Sequence, residues 1–562
     1  KKEVPLMDCF VAPCKEGCPI HQDITTYLQL VGEEKYEEAM EVITEKNPLP
    51  FITGTICAHN CMSKCTRNFY ETPVHIREMK LKAAENGYEA LLEKLPVPAV
   101  TKAGKAAVIG GGPAGMAAAY FLRKGGMEVT LFEAKESLGG VVRHVIPPFR
   151  ISEDAIEKDA EILRKMQVDI RCNTKVESLE ELKKQGYTKI VLAVGAPVQG
   201  SLKLESGMPK NALEFLAEFK QTDGKVSLGK HVVVIGGGNT AMDTARAAKR
   251  NAGVEHVYLI YRRTRRYMPA DEEELVMALE DGVEFKELLS PVKLENGQLF
   301  CKVMQLSDYD VSGRRGVTET GETVWVPADT VIAAVGEKVP TDWYQANGLA
   351  VSEKGRLYVD EKTLKTSDDN VYAAGDGLYG PATVVEAIRD GRKVAEAIAG
   401  EVLACDFDKL AEEEKVYAKR GVLKEEQKET KEAGRCLGCS TICENCVEVC
   451  PNRANIAIQV PGMEKHQIIH VDYLCNECGN CKSFCPYSSA PYLDKFTLFE
   501  TEADMENSKN QGFAVLDQET RRCKVRFFGK TFIWEPEKPA ALPDGLGRMI
   551  ETVCRDYSYL IR

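Results

Sequence analysis

The sequence predicts a multidomain α/β protein, and three observations carry that prediction. A strand–glycine loop–helix–strand pattern occurs twice in the middle of the chain, a helical stretch broken by cysteines precedes it, and a dense cysteine run follows it. At 562 residues the chain is long enough for several domains, each with its own core. A hydrophobic fraction of 44% and a charged fraction of 28% are those of a globular protein. A formal net charge of −12 argues against nucleic acid as the main partner, because phosphate binding needs a basic surface. No apolar run approaches the length of a membrane-spanning helix and no signal-peptide pattern opens the chain, so the expected location is the cytoplasm. The chain starts at Lys1 without an initiator methionine, which suggests a processed form or a piece of a longer protein.

The first element, up to about residue 98, reads as helical, with patterns such as "DITTYLQLVGEEKYEEAMEVI" between cysteine loops. The linker "PVPAV" ends it. The next element opens with "AAVIGGGPAGMAAAYFLRKGGMEVTLFEA". Gly110, Gly112 and Gly115 form G-x-G-x-x-G between a β-branched strand and a helix, and Glu133 ends the second strand. Glycines there let the backbone approach a pyrophosphate, the helix N-terminus offers N–H donors, and the acid suits a ribose. The second copy, "HVVVIGGGNTAMDTARAAKRNAGVEHVYLIYRR", has Gly236, Gly238 and Ala241 at the same places. Its second strand ends not in an acid but in "YRRTRR", with Arg262, Arg263, Arg265 and Arg266. Arginines at that strand end suit the 2′-phosphate of NADPH, and the alternative is a solvated basic loop. Two such folds in one chain, one acid-ended and one arginine-ended, point to FAD in the first and NADPH in the second.

The twenty cysteines are clumped, six between Cys9 and Cys65 and nine between Cys436 and Cys485. In a large chain without a signal peptide, clumps read as metal sites in a reducing compartment rather than as disulfides. "CNECGNCKSFCP", Cys475 to Pro486, fits C-x2-C-x2-C-x3-C-P, the bacterial [4Fe–4S] ferredoxin spacing, whose fourth cysteine crosses to the other cluster. Zinc usually takes two separated C-x2-C knuckles instead. "RCLGCSTICENCVEVCP" has one cysteine too many for that motif. By the crossover, Cys450 joins Cys475, Cys478 and Cys481, and Cys485 returns to Cys443 and Cys446. The regular third position of that second site is Ser440. Cys439 is the favoured replacement, with Cys436 a nearby free thiol or substitute ligand. At the N-terminus stand Cys9, Cys14 and Cys18, then Cys57, Cys61 and Cys65.

These motifs, with "IPPFR", "GGGNTAMD…YRRTRRYMPA" and "VYAAGDG…ATVVEAIRDGR", resemble the NADPH-oxidising module of the glutamate synthase small subunit and the N-terminal half of dihydropyrimidine dehydrogenase. The order of the parts, with the ferredoxin-like run directly after a charged connector, is most similar to the bacterial selenate reductase iron–sulfur subunit. The resemblance implies an NADPH domain inserted in a discontinuous FAD domain. The expected layout is a helical N-terminal Fe–S domain (1–98), an FAD domain (99–225 and 331–400), an NADPH domain (226–330), a charged helical linker (401–434), a bacterial-type 2[4Fe–4S] ferredoxin domain (435–500) and a tail (501–562) without a readable motif. It implies FAD contacts at Gly110, Gly112, Ala114, Gly115, Glu133, Gly140, Val141, Arg150, Val176, Gly375, Asp376, Thr383 and Val384. It implies NADPH contacts at Gly236, Gly238, Asn239, Thr240, Arg262, Arg263, Arg266, Ala334 and Gly336. By the same pattern Cys9, Cys14 and Cys65 share one N-terminal cluster, and Cys18, Cys57 and Cys61 the other. The family's remaining two ligand positions fall at Leu6 and Lys80, so one or two N-terminal clusters are expected.

The resemblance implies an oxidoreductase in which NADPH reduces FAD and the electrons leave through [4Fe–4S] clusters. The implied acceptor is a partner subunit or a domain absent from this chain, with a molybdenum hydroxylase of purine degradation or a ferredoxin as candidates. Alternatives are a glutamate-synthase-type donor, a ferredoxin:NADP oxidoreductase or bifurcating subunit, and a redox-sensing or scaffold protein with structural clusters. No acid–base pair or nucleophile is expected, since the chemistry belongs to the cofactors.

Overall fold

The structure, a computed structural model, describes residues 6–7, 11–69, 71–309, 315–407, 409–426, 431–536, 538 and 542–562. The chain divides into two compact units: Ile43–Ala58 with Leu81–Cys405, and Lys1–Val42 with His59–Lys80 and Asp406–Arg562. The stretch expected as one domain, residues 1–98, is therefore shared between them.

In the first unit one sheet is inserted into the chain path of another. Lys105–Ile109 (KAAVI) and Glu128–Phe132 (EVTLF) are buried from their second residue onward, as parallel strands covered on both faces are. They belong to a five-stranded parallel sheet in the order 371–373, 187–192, 105–109, 128–132, 169–171. Its edge strand Val371–Ala373 arrives only after a second parallel sheet has been completed, ordered 210–211, 330–333, 231–235, 256–261, 284–287. A three-stranded antiparallel sheet (289–295, 298–309, 315–327) precedes the return. Where the chain crosses between the two sheets, Val198–Gln199 pairs with Glu337–Lys338.

That pairing moves the boundaries of the insertion outward from residues 226 and 330. Strand Lys210–Asn211 pairs with Thr330–Ala333, and helix Ala212–Gln221 buries Phe215 and Phe219 against Val232 and Val234. The glycine loop advertises the middle of a Rossmann unit; an ordinary amphipathic helix in front of it carries no such mark.

The second unit contains a six-stranded mixed sheet ordered 455–458, 467–471, 496–499, 512–517, 522–527, 530–534. The expected break at residue 500 runs through it, because Phe496–Phe499 pairs in parallel with Gly512–Asp517. The tail without a motif is thus half of this sheet, and its last helix, Asp544–Asp556, buries Met549, Ile550 and Val553 against Phe496, Phe513 and Val525. Strand pairing across a loop leaves no signature in local spacing. Among the described residues of the charged connector only Glu413–Lys419 is α-helical; Val416 is buried, as is Arg435 just beyond it. Helix Ile24–Gly32 buries Tyr27, Leu28, Leu30 and Val31 and packs on the turn Glu432–Arg435.

Candidate functional site

The first glycine loop joins strand Lys105–Ile109 to helix Pro113–Lys124. Gly110 has φ +105°, and a Cβ there would lie 2.3 Å from the Ala193 carbonyl oxygen. A Cβ on Gly115 would lie 1.8 Å from the Gly110 carbonyl oxygen, so the helix can start against the loop only with glycine there. Glu133 stands at the end of the next strand and is buried; it accepts from the N–H of Gly111 (2.6 Å) and of Lys135 (2.8 Å). A carboxylate has about four lone-pair sites, so two remain for a ribose.

Three further segments surround this loop. Gly140, the cap of helix Val141–His144, approaches so closely that its Cβ would be 2.8 Å from Gly112 Cα. Gly375 (φ +70°) caps helix Asp376–Tyr379, and its Cβ would be 2.6 Å from that of Ala114. Thr383 caps helix Val384–Ala399 through a reciprocal bond with Glu386. Gly140 and Gly375 thus bring the starts of two helices close to the loop. Asp376 accepts from the N–H of Ala382 at 3.0 Å. Burial, aided by the carboxylates of Glu337, Glu386 and Asp390, pushes its carboxyl up to about 6. Asp390 accepts from the Gly375 N–H (3.3 Å) and so fixes the turn before Asp376. The sequence reading missed Asp390 and Glu386, although T-x-x-E at Thr383–Glu386 is a legible capping box.

Arg150 is held by ion pairs. Its Nη1 donates to Asp243 Oδ1 at 2.6 Å and also to Glu274, so it ties "IPPFR" to two helices of the inserted domain. Val176 is half-buried and Val141 is 50% exposed.

In the second loop, Gly236 has φ +153° and its Cβ would be 2.5 Å from the Ala334 carbonyl oxygen. In front of Gly238, at the N-cap of helix Asn239–Arg250, the space is open for 4 Å, the room a pyrophosphate requires. Asn239 Oδ1 accepts from the Asp271 N–H (2.9 Å), and Thr240 lies in the first turn of the helix. Beyond strand His256–Tyr261 the arginines diverge. Arg262 and Arg266 are exposed, Arg263 donates to the Arg315 carbonyl (2.8 Å), and Arg265 pairs with Glu272 (2.9 Å). Ala334 bonds back to Ile235 (2.8 Å), and Gly336 (φ +98°) accepts from Gly200.

The cysteines of the second unit line two cavities. Cys450, Cys475, Cys478 and Cys481 line one, with Ala454 N–H donating to Cys450 Sγ (3.2 Å) and Glu477 N–H to Cys475 Sγ (3.3 Å). Cys443, Cys446 and Cys485 are half-buried, and helix Asn445–Glu448 packs on helix Asn480–Ser483. Cys14, Cys65, Cys436 and Cys439 line the other cavity. Burial first, then the neighbouring thiols, pushes Cys14 well above the usual thiol range, and burial takes Cys439 to about 12 and Cys436 to about 11. Such thiols become thiolates only with a compensating positive group. Among the described residues no three His, Cys, Asp or Glu side chains converge tightly enough for a single metal ion.

Cys18 and Cys61 are half-buried in the same unit, whereas Cys57 belongs to the other, at the C-cap of helix Pro50–Ile56. Cys9 lies outside the described residues. Leu6 packs against the sheet core of the second unit, and Lys80 is buried on helix Ile76–Lys94.

Comparison with known proteins gives two family matches. Residues 104–391 match the model for pyridine nucleotide-disulphide oxidoreductases, and residues 6–90 match that for dihydropyrimidine dehydrogenase domain II, 4Fe-4S cluster. YgfK of Escherichia coli (strain K12) is 40% identical over 546 residues, covering 93% of this chain and 52% of that protein. The chain therefore spans about half the length of that relative. The E. coli (strain K12) glutamate synthase [NADPH] small chain is 33% identical over 426 residues, 70% of this chain and 89% of that one. The NAD-dependent dihydropyrimidine dehydrogenase subunit PreT of the same organism is 31% identical over 396 residues, 69% of this chain and 91% of that one. No helix among the described residues is long and apolar enough to cross a membrane.

Proposed function

The chain belongs to the pyridine nucleotide-disulphide oxidoreductase family, and we propose that it moves electrons from NADPH through FAD to iron–sulfur clusters and on to a partner. The observation that carries this reading is the pair of glycine loops in nested parallel sheets, one followed by buried Glu133 and the other by exposed Arg262 and Arg266. When bound, NADPH supplies a hydride, the flavin takes two electrons and releases them singly, and a cluster accepts one at a time.

The residues hold and orient. Amides at the start of helix Pro113–Lys124 and the glycine backbone receive the FAD pyrophosphate, while Glu133 accepts from its ribose. Gly375 and Asp376 bring a carboxyl and a helix start to the flavin side. Gly238 leaves the NADPH pyrophosphate room to approach, and Arg262 and Arg266 receive the 2′-phosphate.

The C-terminal cysteines form a 2[4Fe–4S] ferredoxin-type module, a reading supported by the cavity that Cys450 shares with Cys475, Cys478 and Cys481. That module favours an electron carrier over a glutamate-synthase-type donor alone. The relatives are named as a small chain and a subunit, which supports a complex for this chain too. Its acceptor is a partner subunit or a domain outside this chain, with a molybdenum hydroxylase or a ferredoxin as the candidates.

Anaerobic addition of NADPH to the purified chain tests this. The flavin absorbance band is expected to bleach, with NADH acting more weakly. A flavin band that persists in NADPH overturns the reading.

A further inference from the structure

We infer that Cys14 and Cys65 from the N-terminal region and Cys436 and Cys439 from the C-terminal cysteine run hold a single iron–sulfur cluster, a site assembled from both ends of the chain. This rests on the reading above that the chain carries clusters. All four thiols line one cavity, together with Pro13 and Leu28. Cys439 Sγ lies 2.8 Å from the hydroxyl of Thr66, the neighbour of Cys65. Four thiolates complete the corners of a [4Fe–4S] cube, and the apolar walls fit a cluster shielded from water.

The frame of the cavity is built to keep the two pairs together. Arg67, two residues after Cys65, donates its Nε to the carbonyl of Arg435, the residue before Cys436, at 2.8 Å. Arg435 returns the contact, donating to Glu71 (2.9 Å) and to the Thr72 carbonyl (2.7 Å), while Arg67 also pairs with Glu71 (2.9 Å). Both arginines are at most 1% exposed. Two guanidiniums so deeply buried persist because carboxylates and carbonyls accept from most of their N–H groups. They pin the backbone beside Cys65 to the backbone beside Cys436.

The site gives a role to the two C-terminal thiols that stand off the ferredoxin spacing. The N-terminal cysteines are short of ligands, since the side chain at position 6 is Leu6, packed against the sheet core. The C-terminal run has a surplus, since Cys436 exceeds the ferredoxin spacing. Cys436 and Cys439 then serve the cluster of Cys14 and Cys65, and Cys443, Cys446 and Cys485 remain as a three-thiolate site.

The test is electron paramagnetic resonance on dithionite-reduced, anaerobically purified full chain, with serine variants that keep side-chain size and a possible oxygen ligand. Cys14→Ser, Cys436→Ser and Cys439→Ser are each expected to shift or abolish the same signal, and Cys443→Ser a different one. The double variant Cys14→Ala with Cys436→Ala is expected to lose about four irons, no more than either alanine variant by itself, because one cube is lost once. Unchanged flavin content shows that the chain has folded. The inference is overturned if Cys436→Ser or Cys439→Ser leaves the Cys14 signal intact, or if the double variant loses about eight irons. A wild-type chain without iron would sink the cluster reading itself, a result distinct from either.

Discussion

The nucleotide unit and the cysteine unit are built on opposite plans. Each glycine loop is made by neighbours in sequence: strand, turn and helix within a few residues, with a glutamate or arginines one strand later. The cavity of Cys14, Cys65, Cys436 and Cys439 is made by residues from both ends of the chain, held by the arginine clamp. A local site survives so long as its turn can form. A distributed site is only as secure as the contacts that bring its segments together, and here those contacts are buried charges.

The largest test of that difference is Arg67→Ala. It leaves Glu71 and the Arg435 carbonyl short of a buried partner, a loss of about 3–5 kcal/mol. Iron bound at the cysteine unit should fall while flavin content holds, and iron-to-flavin ratios measure both; a parallel loss of flavin would break the contrast between the units. Next is Arg262→Ala, which removes one charge-assisted contact worth ~1.5–3 kcal/mol. The KM for NADPH should rise by at least about tenfold, with that for NADH nearly unchanged. Equal effects on both nucleotides would return the arginines to a solvated loop.

The smallest effect is on stability at Asp376, whose carboxyl burial raises from the ordinary value of 3.8 to about 6. Below about pH 4 it is protonated in folded and unfolded chains alike and contributes nothing. Between about 4 and 6 the folded chain keeps a proton that the unfolded chain has lost, so stability falls as pH rises, and above about 6 the whole loss is present. Flavin-free Asp376→Asn should match wild type in Tm near pH 4 and exceed it at pH 7. A constant difference across that range would locate the effect elsewhere.

Much of the nucleotide unit was legible because its constraints are short-range. Gly115 is forced by the Gly110 carbonyl five residues earlier, and the strand–turn–helix unit around each loop leaves a fixed spacing, even though Gly110 and Gly236 also abut the distant carbonyls of Ala193 and Ala334. The sequence by itself determined the two loops, the exchange of Glu133 for arginines and the four-cysteine run at Cys475–Cys485. Less was legible where partners are distant. Arg150 faces Asp243 and Glu274 across the insertion, and Gly512–Asp517 extends a sheet that the motifs ended at residue 500. The "RCLGC" stretch is the sharpest instance. Spacing alone left Cys436 a spare thiol, because periodicity counts residues along one segment. Only the tertiary structure set Cys436 and Cys439 beside Cys14 and Cys65, since burial of Arg67 and Arg435 is satisfied only when the two ends of the chain meet.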